Sequence, residues 1–341
     1  MYTEADKKRI RSNFTDKLHN TTVVTAMPTP MLSPRKGAIN GAIDYEAAEL
    51  LVRHLQKNYI DGILVGGSTG QEPTTTRDEK RKLVKTVLKT LTRPDGTRST
   101  KLFVGTGSAS TKETLEETKW AERIGADAAL IILPPQVKPN RDGQIFHYGL
   151  IASQVPNIPI IIYNIPSRTG VNMQPDTVAE LAHRYPNIIG IKQSYSDMTQ
   201  VEKMKKLCPK DFLIYSGDDD LTLEMLKRGA HGVISVASNI DNMAIKQMVE
   251  AQKRGKTNEA KQLNDMLTPL YKACFVTTNP IPVQHLLSEY IAPWMTTTLR
   301  PPLVTMNQDD HQKMVDLFHA YRHNKVNRLN FLNTIYDQQH D

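Results

Sequence analysis

Residues 159–192 read PIIIYNIPSRTGVNMQPDTVAELAHRYPNIIGIK, and the fold is decided by this stretch. The runs Pro159–Tyr163 (PIIIY) and Ile188–Ile191 (IIGI) are short, apolar and rich in β-branched residues. Runs without polar alternation are strands buried on both faces, as in a parallel sheet. Between them, Pro175–Tyr185 carries the apolar spacing of an amphipathic helix. Gln174-Pro175-Asp176 puts a proline near its first turn, where a missing N–H costs nothing. Strand, helix and strand in that order make one unit of an α/β fold.

The same rhythm runs outward in both directions. Further apolar runs are Thr22–Met27 (TVVTAM), Gly62–Val65 (GILV), Lys101–Val104 (KLFV), Ala128–Leu133 (AALIIL), Phe212–Tyr215 (FLIY) and Gly232–Val236 (GVISV). Helical patterns lie at Tyr45–Asn58, Arg77–Leu91, Lys112–Ile124 and Asp219–Arg228, with Asp44 before the first and Gly229 after the last. Eight strands alternating with helices close a (β/α)₈ TIM barrel, whereas a doubly wound open sheet has no need of eight. From about residue 239 the pattern changes to successive helices, with Asn279–Val283 (NPIPV) as a proline-marked break. The expected organisation is an N-terminal extension over 1–20 (an extra helix or a frayed arm), a barrel over 21–238 and a C-terminal helical region over 239–341.

Composition narrows the function classes. The 341 residues carry a net charge of +7, but the basic residues are scattered in pairs such as Lys7-Lys8 and Lys205-Lys206. Nucleic-acid binding proteins gather such charge on one surface and interleave aromatics, which are only 6% here. A mild basic excess suits an enzyme of small carboxylates, because it raises their local concentration. No stretch of 18 apolar residues exists, and the N-terminus has no apolar signal core. Cys208 and Cys274 lack metal-ligand spacing and read as small buried hydrophobes. The expectation is a cytoplasmic protein with no metal, no cofactor, no membrane and no nucleic acid.

In such a barrel the chemistry sits at the C-terminal ends of the strands. The second strand ends in Gly66-Gly67-Ser68-Thr69-Gly70, the fifth in Tyr163-Asn164-Ile165-Pro166-Ser167-Arg168, and the sixth in Lys192. The seventh ends in Ser216-Gly217-Asp218-Asp219 and the eighth in Ser235–Asn239. Lys192 follows a buried run, where a cation is costly unless paired. Such an amine either snorkels to the rim or is a desolvated nucleophile for a ketone. Tyr163, ending the adjacent strand, can move protons for that amine. Ser68 and Thr69 offer hydroxyls and backbone N–H groups at a tight turn suited to a carboxylate. Arg168 offers a fork for a second carboxylate, or is a surface group.

Taken together, GGSTG at 66–70, YNIPSRTG at 163–170, GIK at 190–192, SGDD at 216–219, GVISV at 232–236 and NPIPV at 279–283 resemble the dihydrodipicolinate synthase/N-acetylneuraminate lyase family. The resemblance spans roughly residues 20–305. It implies a barrel with a C-terminal helical domain, a homo-oligomer (dimer or tetramer), and no metal or organic cofactor. It implies Lys192 as the Schiff-base lysine, Tyr163 as the proton-transferring tyrosine and Ser68 as part of the relay. Thr69 would bind the pyruvate carboxylate, with Gly217 and Ile234 lining that pocket, and the partners would be pyruvate and a small aldehyde. Arg168 in its motif resembles the synthase branch, where it holds the carboxylate of aspartate semialdehyde. Rival readings are a sialic-acid lyase or 2-keto-3-deoxy sugar acid aldolase, and a non-catalytic keto-acid sensor on the same scaffold. Two departures stand out: Pro134-Pro135-Gln136 where the synthases carry Pro-Tyr-Tyr, and Gln71 before Glu72.

The resemblance also predicts the response to free lysine. Of the effector contacts in lysine-sensitive members this chain keeps the glutamate, as Glu113. Ala109 replaces an asparagine, Arg77 and Lys80 replace histidines, and Pro135 replaces a tyrosine. Two cations facing an ammonium group cost energy, and one exposed carboxylate returns about 1 kcal/mol or less. Calorimetry with millimolar lysine should give no saturable heat; a clear isotherm would mean that other residues build the site.

Overall fold

The computed structural model describes residues 3–35 and 41–338, with side chains described as far as residue 328. Its strands are β1 (Val23–Ala26), β2 (Gly62–Val65), β3 (Lys101–Gly105), β4 (Ala128–Ile132), β5 (Ile160–Asn164), β6 (Ile188–Gln193), β7 (Leu213–Ser216) and β8 (Gly232–Ser235). Each runs parallel to the next, and β8 pairs with β1 through Ile234 opposite Val24, so the barrel is closed. The strands coincide with the apolar runs to within a residue or two at each end.

Before β1 lies α1 (Glu4–Leu18). Between strands lie α2 (Tyr45–Lys57), α3 (Arg77–Leu91), α4 (Thr111–Arg123), α5 (Arg141–Gln154), the single turn α6 (Pro166–Thr169), α7 (Pro175–Arg184), α8 (Met198–Leu207) and α9 (Thr222–Lys227). After β8 come α10 (Ser238–Lys253), α11 (Thr257–Cys274), α12 (Ile281–Leu286) and α13 (Gln308–Gln338). The helix boundaries have local causes. The Asp44 side chain accepts from the Ala47 N–H at 2.9 Å, and Thr76 and Glu79 form a reciprocal capping box. Gly229, with φ +86°, turns the chain back just after α9. One expected helix, over 219–228, instead opens as a tight 3₁₀ turn at Asp219–Leu221. The reason is that the Asp219 carboxylate is bound to the end of β8.

Two apolar layers follow from the two faces of each strand. Ile63, Leu102, Ile131, Ile162 and Ile191 face the surrounding helices. Val24, Leu64, Phe103, Ile161, Ile189, Tyr215 and Ile234 fill the barrel. Phe14 and Leu18 of α1 belong to this inner layer, so the N-terminal segment is a docked helix that plugs the barrel floor. The buried Arg11 guanidinium anchors it, donating to the carbonyls of Ala182 and Ile188. Beyond the barrel, α10 packs on β1 and β8, and α11 packs on α10 and α13. Met314, Phe318 and Tyr321 bury one stripe of α13, and both Tyr321 and Lys325 donate to Asp241 of α10. Among the described residues no helix is long and apolar enough to cross a membrane.

Leu18 is fully buried against the barrel interior. Leu18→Ala should therefore lower the unfolding free energy by about 2–5 kcal/mol, the range for a buried leucine. Urea denaturation measures this, and an unchanged midpoint would mean that α1 is not docked.

Candidate active site

At the C-terminal end of the barrel, Lys192 stands opposite Tyr163 in the β5–β6 register. Both are almost fully buried, and the Lys192 amine lies over the Tyr163 ring, 4.3 Å from its centre. They line a cavity of about 290 Å³ together with Ser68, Thr69, Gly217 and Arg168. A second cavity of about 700 Å³ continues outward past Ser68, Tyr163 and Arg168 to Pro135 and Gln136. Both spaces are near or within the size of small-molecule sites, and they share Ser68, Tyr163 and Arg168.

Backbone geometry sets each of these side chains. Gly66 has φ +77°, which a side chain rarely adopts, and it turns the chain into the 3₁₀ turn Ser68–Gly70. Thr29 Oγ1 donates to the Gly70 carbonyl at 2.6 Å and holds that turn to the barrel. Gly217 is required by contact instead: a Cβ there would lie 1.9 Å from Ser194 Oγ and 3.0 Å from Lys192 Cε. Beside the Tyr163–Lys192 pair, Asn164 Nδ2 donates to Gln193 Oε1 at 3.0 Å and to Asn172 Oδ1 at 2.8 Å. Gln193 Nε2 in turn donates to Gln200 Oε1 at 3.0 Å. This buried amide chain holds the tips of β5 and β6 together.

Charge is distributed unevenly around the cavity. Arg168 is exposed at its rim, and among the described residues no carboxylate lies within ion-pair distance of it. Asp218 is half-buried in the cavity wall, and burial raises its carboxyl to about 6. Lys192 pulls the other way, while Asp220 and Asp219 add to the rise. Asp219 is fully buried and lies outside the cavity wall. Its carboxylate accepts from Ser235 Oγ at 2.5 Å and from the Val236 and Ala237 N–H groups at 3.0 Å each. It positions the end of β8, where Val236 lines the cavity.

Ser68, Thr69, Tyr163, Arg168, Lys192 and Gly217 are therefore brought together, but Ile234 is not. Ile234 is buried in the barrel interior one layer deeper, and the wall at β8 belongs to Val236 two residues on. The other wall not foreseen comes from the segment after α11. Phe275, Thr277, Thr278 and Asn279 line the cavity, and Asn279 Nδ2 donates to Thr69 Oγ1 at 3.1 Å. NPIPV was visible as a motif, but nothing in its spacing shows that it folds back over the second strand.

A family model described as the dihydrodipicolinate synthetase family matches residues 19–321. This chain belongs to that family. It is 41% identical over 283 residues to the 4-hydroxy-tetrahydrodipicolinate synthase of Thermosynechococcus vestitus, covering 83% of this chain and 91% of the relative. It is 38% identical over 298 residues to the synthase of the same name from a Cyanothece species, covering 87% and 97%. The 4-hydroxy-tetrahydrodipicolinate synthase structure from Methylacidiphilum fumariolicum superposes with a TM-score of 0.83 at 35% identity, covering 90% of this chain and 97% of that one. Dihydrodipicolinate synthase from Cyanidioschyzon merolae, solved with lysine bound, gives 0.82 at 34% identity, covering 89% and 98%. The residues that the family resemblance associates with an effector are engaged internally here. Arg77 and Lys80 both pair with Glu117, at 3.2 and 3.5 Å, and Glu113 accepts from Ser108 Oγ at 2.7 Å.

A carboxyl whose folded pKa lies above its unfolded value opposes folding wherever the unfolded chain is ionised. For Asp218 that penalty is absent below about pH 4, grows through the window up to about 6, and is complete above it. Asp218→Asn should thus raise the unfolding free energy at pH 8 by about 1–3 kcal/mol and leave it unchanged near pH 4. Denaturation at the two pH values checks it; an equal shift at both would assign the effect to packing.

Proposed function

We propose that this chain condenses pyruvate with aspartate semialdehyde through a Schiff base on Lys192, as a 4-hydroxy-tetrahydrodipicolinate synthase. The observation that carries the reading is the buried Lys192 amine held 4.3 Å from the Tyr163 ring centre, in a cavity that also presents Thr69. The amine adds to the keto carbon, water leaves, and an imine forms. Loss of a methyl proton gives the enamine, whose carbon then attacks the aldehyde carbon. Water or an amine adding at the imine carbon releases Lys192.

Tyr163 and Ser68, which both line the inner cavity, are assigned to carry protons during dehydration and enamine formation. Thr69, steadied by Asn279, is assigned to the pyruvate carboxylate, with Gly217 leaving room beside the lysine. Arg168 is assigned to the acceptor's carboxylate, because it lines both cavities and among the described residues no carboxylate pairs with it. Gln136 lies in the outer cavity with φ +70°, where the synthases carry a tyrosine. A glutamine there has no acidic proton to give, so Gln136 does not replace that tyrosine in a proton relay. The reading extends to a cytoplasmic homo-oligomer without metal in its reaction, in keeping with two free, buried thiols.

Borohydride reduction with pyruvate should add one pyruvyl mass to the chain and none to Lys192→Ala. Arg168→Ala should keep the adduct but lose about ten- to a hundredfold in kcat/KM for aspartate semialdehyde, or about 1.4–3 kcal/mol for a lost charge-assisted contact. A normal adduct in Lys192→Ala would overturn the mechanism. Equal loss of both steps in Arg168→Ala would mean that the arginine serves pyruvate.

A further inference from the structure

We infer that His285, Glu289 and His311 form a divalent-metal site of the zinc class, separate from the keto-acid cavity. His285 Nδ1 lies 2.8 Å from Glu289 Oε1. His311 Nε2 lies 3.0 Å from each Glu289 oxygen. All three donor atoms fall within 4.8 Å of one another, and none of the three residues lines either active-site cavity. Two imidazoles and one carboxylate, with one position left for water, are a donor set that zinc takes.

Three features of the surroundings support a ligand set. His285 is 7% exposed, and its Nε2 lies 2.8 Å from Thr305 Oγ1, which fixes the ring with Nδ1 turned to the carboxylate. A second partner on the far nitrogen is how metal-bound histidines are held. Glu289 sits on a π-helical segment, Leu287–Ile291, directly after α12. Such widened turns are uncommon and recur at functional sites. The Glu289 and His311 side chains are 30% and 38% exposed, so an ion and its water have a way in. Metal–ligand bonds of about 2.0–2.1 Å with tetrahedral angles put donors about 3.3 Å apart. The carboxylate contacts at 2.8–3.0 Å need to open only by tenths of an ångström to reach that.

A metal there would clamp the first turn of α13 to the segment that begins at Asn279, whose side chain reaches Thr69. No metal was expected from the sequence, because neither cysteine has ligand spacing. These ligands come instead from two helices 22 residues apart, between Glu289 and His311.

The test uses the full-length, untagged chain, freed of metal with a chelator and titrated with Zn²⁺ alone by calorimetry. One saturable site per chain is expected. His311→Ala and Glu289→Gln should each weaken it by at least about a hundredfold, and Thr305→Val, which removes only the orienting partner, by about tenfold. His183→Ala, an exposed imidazole on α7, should leave it unchanged. Co²⁺ should give a visible absorption band that His311→Ala abolishes. Circular dichroism of each variant separates lost binding from lost folding, and the half-buried His311 carries the test if another variant unfolds. Absence of saturable Zn²⁺ binding would show a hydrogen-bonded staple only and overturn the proposal. So would undiminished binding in folded His311→Ala and Glu289→Gln.

Discussion

Across the β5–β6 ladder Tyr163 stands opposite Lys192, and the lysine amine lies 4.3 Å from the ring centre. A buried lysine is expensive, and a position for it exists only where a strand emerges from an apolar wall into a polar cavity. The closed barrel creates that position by bringing eight strand ends to one mouth. Much of the remaining structure keeps the strand ends from drifting. The Asn164–Gln193–Gln200 amide chain ties β5 to β6, and Asp219 ties the β7 loop to the end of β8. These buried side chains are paired with one another, and losing one partner would leave the other without water or a replacement.

The C-terminal segments complete this mouth. Asn279 reaches Thr69, and further along Arg300 binds both oxygens of Glu79 while its own N–H donates to Gln71. The hydrogen-bonded Arg300 holds the Glu79 carboxyl down to about 2. Gln71, buried with φ +55°, supplies an oxygen to the Arg300 backbone, while Glu72 pairs with Lys80 at 3.0 Å. The loop after β2 is thus held between the barrel and the returning chain. At the opposite end α1 closes the floor, so both openings of the barrel are built by segments outside its strands.

Strand and helix identity was legible because it depends on local pattern. Fully buried strands read as unbroken apolar runs, and amphipathic helices show their stripe. The motif residues around Lys192, Tyr163, Ser68, Thr69, Arg168 and Gly217 were legible for a related reason. In a barrel, function sits at strand ends, and strand ends can be counted along the chain. That Val236 rather than Ile234 forms the wall at the end of β8 was not legible, because it depends on how deep each residue sits in the barrel, and Asn279 was not, because it depends on a helix–loop return of more than 200 residues.

By itself the sequence determined that eight apolar strands alternate with helices, that a lysine ends the sixth, and that no membrane-length apolar run exists. Those properties rest on hydrophobic periodicity and on residue type, which are local. Only the tertiary structure decided that α1 plugs the floor, that Gly217 must lack a side chain because Ser194 and Lys192 approach it, and that Asp218 lines the same cavity as the lysine. It alone brought His285, Glu289 and His311 to a common point. Each of these is a contact between residues distant along the chain, set by packing that no local window contains.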